Sequence, residues 1–77
     1  MEEDSVSLHM NRKPEIGSVW VFHDEPRSNH FLLLAEKPAY YDLDEWEFET
    51  LEIETGRRET GYFKKSARNY GGWLEDK

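Results

Sequence analysis

The residues best suited to chemistry are five carboxylates between residues 42 and 49: Asp42, Asp44, Glu45, Glu47 and Glu49. An Asp-x-Asp spacing suits the oxygen ligands of calcium or magnesium. The segment lacks, however, the glycine and the terminal glutamate that an EF-hand loop requires at fixed positions. A glycosidase would need its two carboxylates across a walled cleft, which 77 residues hardly provide. We therefore interpret the five acids as a solvated acidic surface and expect neither a metal ion nor a cofactor.

Three histidines, His9, His23 and His30, follow no metal-ligand spacing. His23 and His30 could face each other near Asp24, but a metal site would also need that geometry and supporting hydrogen bonds. We interpret them as histidines at strand ends that make ordinary hydrogen bonds. No serine lies in a nucleophile-elbow context, and the pair Gly71-Gly72 does not precede a helix as a phosphate-binding loop does. The sequence therefore does not predict an enzyme.

Aromatic residues flank the acidic segment. Tyr40 and Tyr41 precede it and Trp46 lies within it. Aromatic anchors surrounded by charges are typical of a contact surface, because aromatic side chains dominate binding hot spots and charges steer the approach of a partner. Alternatively, Tyr41 and Trp46 complete the core. The predicted partner-binding surface, called the acidic surface below, consists of Tyr40, Tyr41, Asp42, Asp44, Glu45, Trp46, Glu47 and Glu49.

The composition limits the classes of partner and compartment. A net charge of −7 argues against direct nucleic-acid binding, which needs clustered Lys and Arg, and favours a protein with a basic surface. Without cysteine, the chain forms no disulfide and no thiolate-based site. The longest apolar run, Phe31–Ala35, is far shorter than the roughly 18–20 residues of a membrane span. Because Met1–Asp4 is acidic where a signal peptide is positive, we expect a cytoplasmic location.

The segment Trp46–Glu54 alternates apolar and acidic residues, which predicts a β-strand with one buried face. A turn at residues 55–58 and a second strand at residues 59–65 then predict an antiparallel hairpin. In that register Leu51 opposes Tyr62.

The apolar positions of this strand change phase along its length. Trp46 and Phe48 share one face, whereas Leu51 and Ile53 share the other. Either a β-bulge near residues 49–50 returns all four to one face, or Trp46 and Phe48 cover a second apolar surface. We favour the bulge, which places Leu51 in the core.

The rest of the chain predicts one small domain. Residues 1–13 show no consistent period, and we interpret them as a flexible leader; residues 14–77 form a single β domain with Trp20 in its core. The other predicted elements are strands at residues 16–23, 30–37 and 70–74 and a helical turn at residues 66–69.

Three short motifs resemble small SH3-like barrel proteins of phage and prophage genomes. They are Ile16-Gly17-Ser18-Val19-Trp20, Leu51-Glu52-Ile53-Glu54-Thr55-Gly56 and Gly72-Trp73-Leu74. The resemblance covers about residues 15–75 and implies an all-β fold, a small SH3-like barrel of about five antiparallel strands. The tyrosine pair and proline-contacting tryptophan of peptide-binding SH3 domains are not reproduced at matching spacing, and the Lys/Arg-rich loop of ribosomal barrels is absent. Because such barrels host many functions, the resemblance bears mainly on the fold.

The function predicted from these features is a non-catalytic protein-interaction module, a phage-encoded adaptor or inhibitor of a host protein that uses the acidic surface. One alternative is an acidic nucleic-acid mimic, since same-face acids on a strand lie about 6.5–7 Å apart, close to the spacing of successive phosphates. A further alternative is a small structural component of a particle or complex.

Overall fold

Five antiparallel strands form one sheet in this computed structural model, which describes residues 10–22, 29–38 and 44–77. The strands are β1 (Val19–Phe22), β2 (His30–Lys37), β3 (Glu45–Glu52), β4 (Arg57–Lys64) and β5 (Trp73–Glu75), with a short turn of 3-10 type at Arg68–Gly71. Their order in the sheet is β4-β3-β2-β1-β5. The prediction of an all-β fold with five antiparallel strands is confirmed. A closed barrel is not confirmed, because the sheet is open between its edge strands β4 and β5.

The β3–β4 hairpin forms where the sequence predicts it, but its register is different. Leu51 lies opposite Arg58 and not opposite Tyr62, because the loop occupies Ile53–Gly56 and begins two residues earlier than expected. The backbone N–H of Gly56 donates to the Glu52 carbonyl at 2.8 Å and closes the loop. Gly56 has a φ of 76°, a left-handed conformation that glycine adopts without steric cost.

The predicted bulge is present at the expected level of the sheet but on the other strand. The β2–β3 register shifts between Leu33 and Ala35, opposite Thr50 and Glu49, whereas β3 pairs with β4 without interruption. The extra residue therefore belongs to β2. Since β3 keeps its alternation, Leu51 lies on the outer face of the sheet and is half-buried, so its predicted place in the core is wrong.

An aromatic core covers the inner face of the sheet. Its buried residues are Trp20, Phe31, Leu33, Phe48, Phe63 and Trp73, and Phe22, Trp46 and Tyr70 pack against them. Phe63 stacks on Trp73 with ring centroids 4.5 Å apart and meets the edges of Trp20 and Phe48 at 5.2 and 5.5 Å. The predicted core position of Trp20 is confirmed.

The chain before β1 is attached to the far end of β4. The Asn11 backbone N–H donates to the Lys65 carbonyl at 2.8 Å, and its side-chain amide donates to the carbonyls of Ala67 at 2.7 Å and Lys64 at 3.1 Å. The Tyr70 hydroxyl donates to the Arg12 carbonyl at 2.7 Å. Residues 10–14 thus form a strap. The flexible leader at residues 1–13 stays a prediction, since residues 1–9 lie outside the described residues.

Candidate functional site

Side chains, and not a backbone ladder, bridge the open seam between β4 and β5. Within the described residues β4 and β5 do not pair with each other. Instead the Trp73 indole N–H donates to the Tyr62 carbonyl at 2.9 Å. Next to it, Gly61 is packed closely against β3, because a Cβ at that position would lie 3.1 Å from Cγ2 of Thr50, whereas the Trp73 ring would be at an ordinary contact distance of 3.6 Å. A glycine inside a strand allows this kind of close approach.

A groove of about 250 Å³ lies along the seam and is called the seam groove below. Aromatic residues from several elements line it: Phe22, Phe31, Tyr62, Tyr70 and Trp73. Its charged lining residues are Glu45, Glu59 and Lys64. Glu59 and Lys64 are five residues apart on β4, so the lined stretch extends roughly 16 Å along that strand at about 3.3 Å per residue.

A strained turn supplies one wall of the seam groove. Asn69 and Tyr70 have φ values of 51° and 56°, and Gly71 and Gly72 continue with 85° and 130°. A left-handed conformation is costly for tyrosine, and such strain persists only where surrounding contacts enforce it. Here the Tyr70 ring packs edge-on against Trp20, 5.0 Å between centroids, while burial raises the pKa of its hydroxyl. The turn thereby joins the strap to the core and places Gly71 at the groove.

The structure divides the acidic surface between the two faces of β3. Glu45, Glu47 and Glu49 alternate with Trp46, so these three acids project from the outer face and the indole from the inner face. Asp44 precedes the strand, and its carboxylate accepts hydrogen bonds from the Ser66 hydroxyl at 2.9 and 3.0 Å. Tyr40, Tyr41 and Asp42 lie outside the described residues. Of the described members, Glu45 also lines the seam groove.

Bases accompany the outer-face acids of β3. Glu45 pairs with Lys64 and Glu49 with Arg58, each at 3.1 Å. Glu47 is buried and lies in register with Lys37 of β2. The described residues contain 11 of the 17 acids and 9 of the 10 bases, so they account for only −2 of the net charge of −7. The described part of the acidic surface is therefore close to electrical balance, unlike the bare row of carboxylates that the sequence indicated.

A second cluster of charged groups surrounds His30. Its Nδ1 lies 2.5 Å from Oε2 of Glu54, its backbone N–H donates to Oε1 of Glu54 at 2.7 Å, and its Nε2 lies 3.5 Å from Asp76. The hydrogen bond to the Glu54 carboxylate raises the pKa of His30, and the hydrogen bond donated by the His30 backbone N–H lowers the pKa of Glu54. This cluster joins the start of β2 to the β3–β4 loop and to the residue after β5. His23 and Asp24, which were considered beside His30 as an alternative metal site, lie outside the described residues.

Among the residues that the structure describes, no group of three or more His, Cys, Asp or Glu side chains is arranged to hold a metal ion. No helix in the same residues is long and apolar enough to cross a membrane.

Apart from Glu45, the residues of the seam groove are not predicted as a site from the sequence. Trp73 and Phe22 were assigned to strands, and Glu59 was the first residue of a returning strand. One signal was available: Gly61 interrupts an otherwise regular strand pattern, and a glycine there indicates a close approach of another group. The closest group is Cγ2 of Thr50 on β3. The Trp73 indole comes from a residue 11 positions from Tyr62, and local patterning does not connect the two.

Comparisons with protein-family models, with curated proteins and with solved structures found no match.

Proposed function

We propose that this protein is a non-catalytic protein-interaction module that binds a partner with a basic surface. The observation that carries the proposal is the seam groove, which combines aromatic rings with the edge of a strand. Aromatic side chains dominate binding hot spots, and strand edges can take up an extended segment of another chain. A segment of a partner protein is therefore the occupant that this groove suits best.

The free edge of β4 supports this proposal. Backbone groups that point away from β3 alternate along β4, and the carbonyls of Tyr62 and Lys64 accept the side chains of Trp73 and Asn11. By the same alternation Thr60 and Arg58 also point toward the seam, and within the described residues no hydrogen bond to these groups is present. Unpaired strand edges are templates for the addition of another strand. The edge from Arg58 to Thr60 is thus available to a partner.

The acidic surface and the seam groove meet at Glu45, which belongs to the first and lines the second. A partner that contacts both would form one continuous interface around the start of β3. Since Glu45 and Glu49 are paired with bases, the net charge of −7 of the whole chain would steer the approach of a basic partner, and the aromatic groove would hold it after encounter.

Within the all-β class, we propose that the fold is a small SH3-like barrel. It is supported by β5, which follows the short turn at Arg68–Gly71 and pairs with β1, so that β4 and β5 line the same seam. On the strength of the resemblance alone, we further propose that the chain is a phage-encoded adaptor or inhibitor that acts in the host cytoplasm.

Nucleic-acid mimicry stays the alternative, and a structural component of a particle is the third candidate. A mimic needs carboxylates that a basic groove can reach, whereas Lys64 and Arg58 pair with Glu45 and Glu49. A partner would have to displace both bases, which favours the interaction module.

Affinity capture from an extract of the native host tests the proposal, with three baits: the wild-type chain, Glu59→Lys and Glu15→Lys. Both substituted residues are exposed, but only Glu59 lines the seam groove. We expect one protein that wild type and Glu15→Lys capture and that Glu59→Lys loses.

The dependence of capture on salt concentration distinguishes the interaction module from the nucleic-acid mimic. Retention at high salt indicates a partner held by the aromatic groove, whereas a nucleic-acid-binding protein that salt releases equally from all three baits indicates mimicry. Equal capture by all three baits at high salt would contradict a role for the groove.

A further inference from the structure

We infer that the seam groove receives a cationic side chain, an arginine carried on an extended segment of the partner. This inference rests on the proposed function, because it names the chemistry of the partner at that site. The groove is smaller than the cavities of about 300–1,000 Å³ that hold drug-sized ligands, so its volume of about 250 Å³ suits a side chain.

The aromatic side of the groove consists of rings that pack on one another. The Trp73 ring lies 4.9 Å from Phe22 and 5.5 Å from Phe31, measured between centroids, at interplanar angles of 58° and 88°. Because Trp73 and Phe31 are buried and one face of Trp73 is stacked on Phe63, the half-buried rings of Phe22 and Tyr70 are left for an occupant to contact. A guanidinium or ammonium group is attracted to a ring face by its quadrupole, and the apolar stem gains contact with the same rings.

The charged side of the groove has an uncompensated carboxylate. Glu59 shares the inner face of β4 with Gly61 and Phe63, since its register partner is the buried Thr50. Within the part of the chain that is described, its carboxylate makes no ion pair or hydrogen bond, although its backbone carbonyl accepts the Thr50 hydroxyl at 2.9 Å. It is therefore available to a charge brought by a partner.

Three nearby bases are engaged elsewhere, and Arg57, two residues before Glu59 on the same face of β4, is not among the residues that line the groove. Lys64, the cation that lines the groove, pairs with Glu45, and Arg58 pairs with Glu49. Lys37 donates to the Thr60 hydroxyl at 2.9 Å. The groove lining thus has an excess negative charge at Glu59, which an apolar or anionic occupant would bury without a partner at a considerable cost.

Arginine fits this combination better than lysine does. Its planar guanidinium stacks on aromatic rings and donates two parallel hydrogen bonds to one carboxylate, whereas an ammonium group is a compact and strongly hydrated charge. The main chain of the same segment can pair with the edge of β4 at Arg58 and Thr60, which points into the seam.

An NMR titration of the full chain tests the inference with two blocked pentapeptides that differ only at the centre, one with arginine and one with its neutral isostere citrulline. We expect the arginine peptide to shift the Trp73 indole and Gly61 amide signals to saturation. The citrulline peptide should bind about tenfold or more weakly, the order expected when a charged hydrogen bond is lost.

Two variants provide the matched controls. Glu59→Gln should remove the preference for arginine over citrulline, while Glu15→Gln, outside the groove, should retain it. A dispersed spectrum for each variant establishes that it is folded. Equal affinity for both peptides, an unchanged preference in Glu59→Gln, or no saturating shift up to the solubility limit would overturn the inference.

This outcome is separable from the capture experiment. Equal peptide binding together with a captured partner that Glu59→Lys loses would reject the arginine site and retain the interaction module. A preference for arginine without a captured partner would retain the arginine site and reject the interaction module.

Discussion

The two sides of β4 are held in different ways. Toward β3, a continuous ladder runs from Glu45 opposite Lys64 to Glu52 opposite Arg57. Toward β5, single side chains make the bridges, with the Trp73 indole on the Tyr62 carbonyl and the Asn11 amide on the Lys64 carbonyl. A ladder brings two strands to about 4.8 Å along their whole length, whereas point bridges leave space between them. The groove lies on the side without the ladder.

The two sides of β4 also differ in the sequence separation of their contacts. The hairpin partners are close in sequence, and the loop at Ile53–Gly56 brings them together. The seam depends on Asn11, which is 53 residues from Lys64, and on Trp73, which lies across the turn at Arg68–Gly71. We expect the seam to open at lower free energy than the hairpin, because fewer backbone hydrogen bonds hold it.

The largest expected effect is that of Trp73→Ala. This substitution removes a ring that is buried against Phe63 and also bridges the seam. We expect a loss of about 3–5 kcal/mol of unfolding free energy, the range for truncating a buried large aromatic side chain. Urea denaturation measures it. The neighbouring Leu74→Ala is the control, since Leu74 is half-exposed and should cost less than about 1 kcal/mol. Equal losses would mean that the seam does not depend on the indole.

Gly61→Ala should cost about 1–3 kcal/mol through overpacking against Thr50 on β3. The new methyl group would meet Cγ2 of Thr50 at 3.1 Å. Thr50→Ser removes that Cγ2 and keeps the hydroxyl that donates to Glu59. In a double-mutant cycle measured by thermal unfolding, Thr50→Ser should therefore relieve part of the Gly61→Ala loss. Strictly additive losses would contradict a tight contact at this position.

Asn11→Ala should cost about 1–2 kcal/mol, because two carbonyls at the end of β4 lose their side-chain donor. Truncation locates the boundary of the strap: removal of residues 1–9 should leave the melting temperature nearly unchanged, and removal of residues 1–12 should lower it. If both truncations melt like the full chain, the strap contributes nothing to closing the seam.

Leu51→Ala tests the ladder side and should cost about 1 kcal/mol. Leu51 is half-buried on the outer face, opposite Leu32 and Arg58, and its removal leaves the inner core and the ladder intact. Phe48→Ala is the matched substitution on the inner face and should cost about 3–5 kcal/mol. A loss of that size at Leu51 would place the outer face in a core of its own.

The smallest effect concerns pH and the His30 cluster. The pKa of His30 is raised from 6.5, so its protonated form stabilises the fold below that value and the contribution disappears as pH rises through the folded pKa. The pKa of Glu54 is lowered from 4.5, so its contribution is present above that value and disappears as pH falls through the folded pKa. Both groups are exposed, so the shift in melting temperature between about pH 5.5 and about pH 8 should be small, with higher stability at the lower pH.

His30→Gln should make the melting temperature less dependent on pH across that interval. His30 contacts Glu54 and Asp76, so a pH dependence identical to that of wild type would show that the cluster does not stabilise the fold.

Local patterning predicted the strands and the hairpin because a period near two depends only on neighbouring residues. The alternation in Trp46–Glu54 identified β3, and Trp20 was placed correctly in the core. The phase change after Phe48 also marked the level of the bulge. It did not determine which strand carries the extra residue, since either partner can absorb it. The pairing places the extra residue on β2, and Leu51 consequently faces outward.

For the acidic surface, the sequence likewise does not determine which acids are paired with bases. The alternation correctly places Glu47 and Glu49 on one face of a strand, and the structure adds Glu45 to it. The bases beside these acids come from β2 and β4, so their pairing depends on register. The groove depends still more on tertiary structure, because it is defined by a strand edge that lacks a ladder and by rings from distant segments. Thus sequence alone determined an all-β chain with an aromatic core, since strand period and hydrophobicity are local properties. Tertiary structure decided which faces are buried, which charges are balanced and where the sheet stays open, since those depend on strands that are distant along the chain.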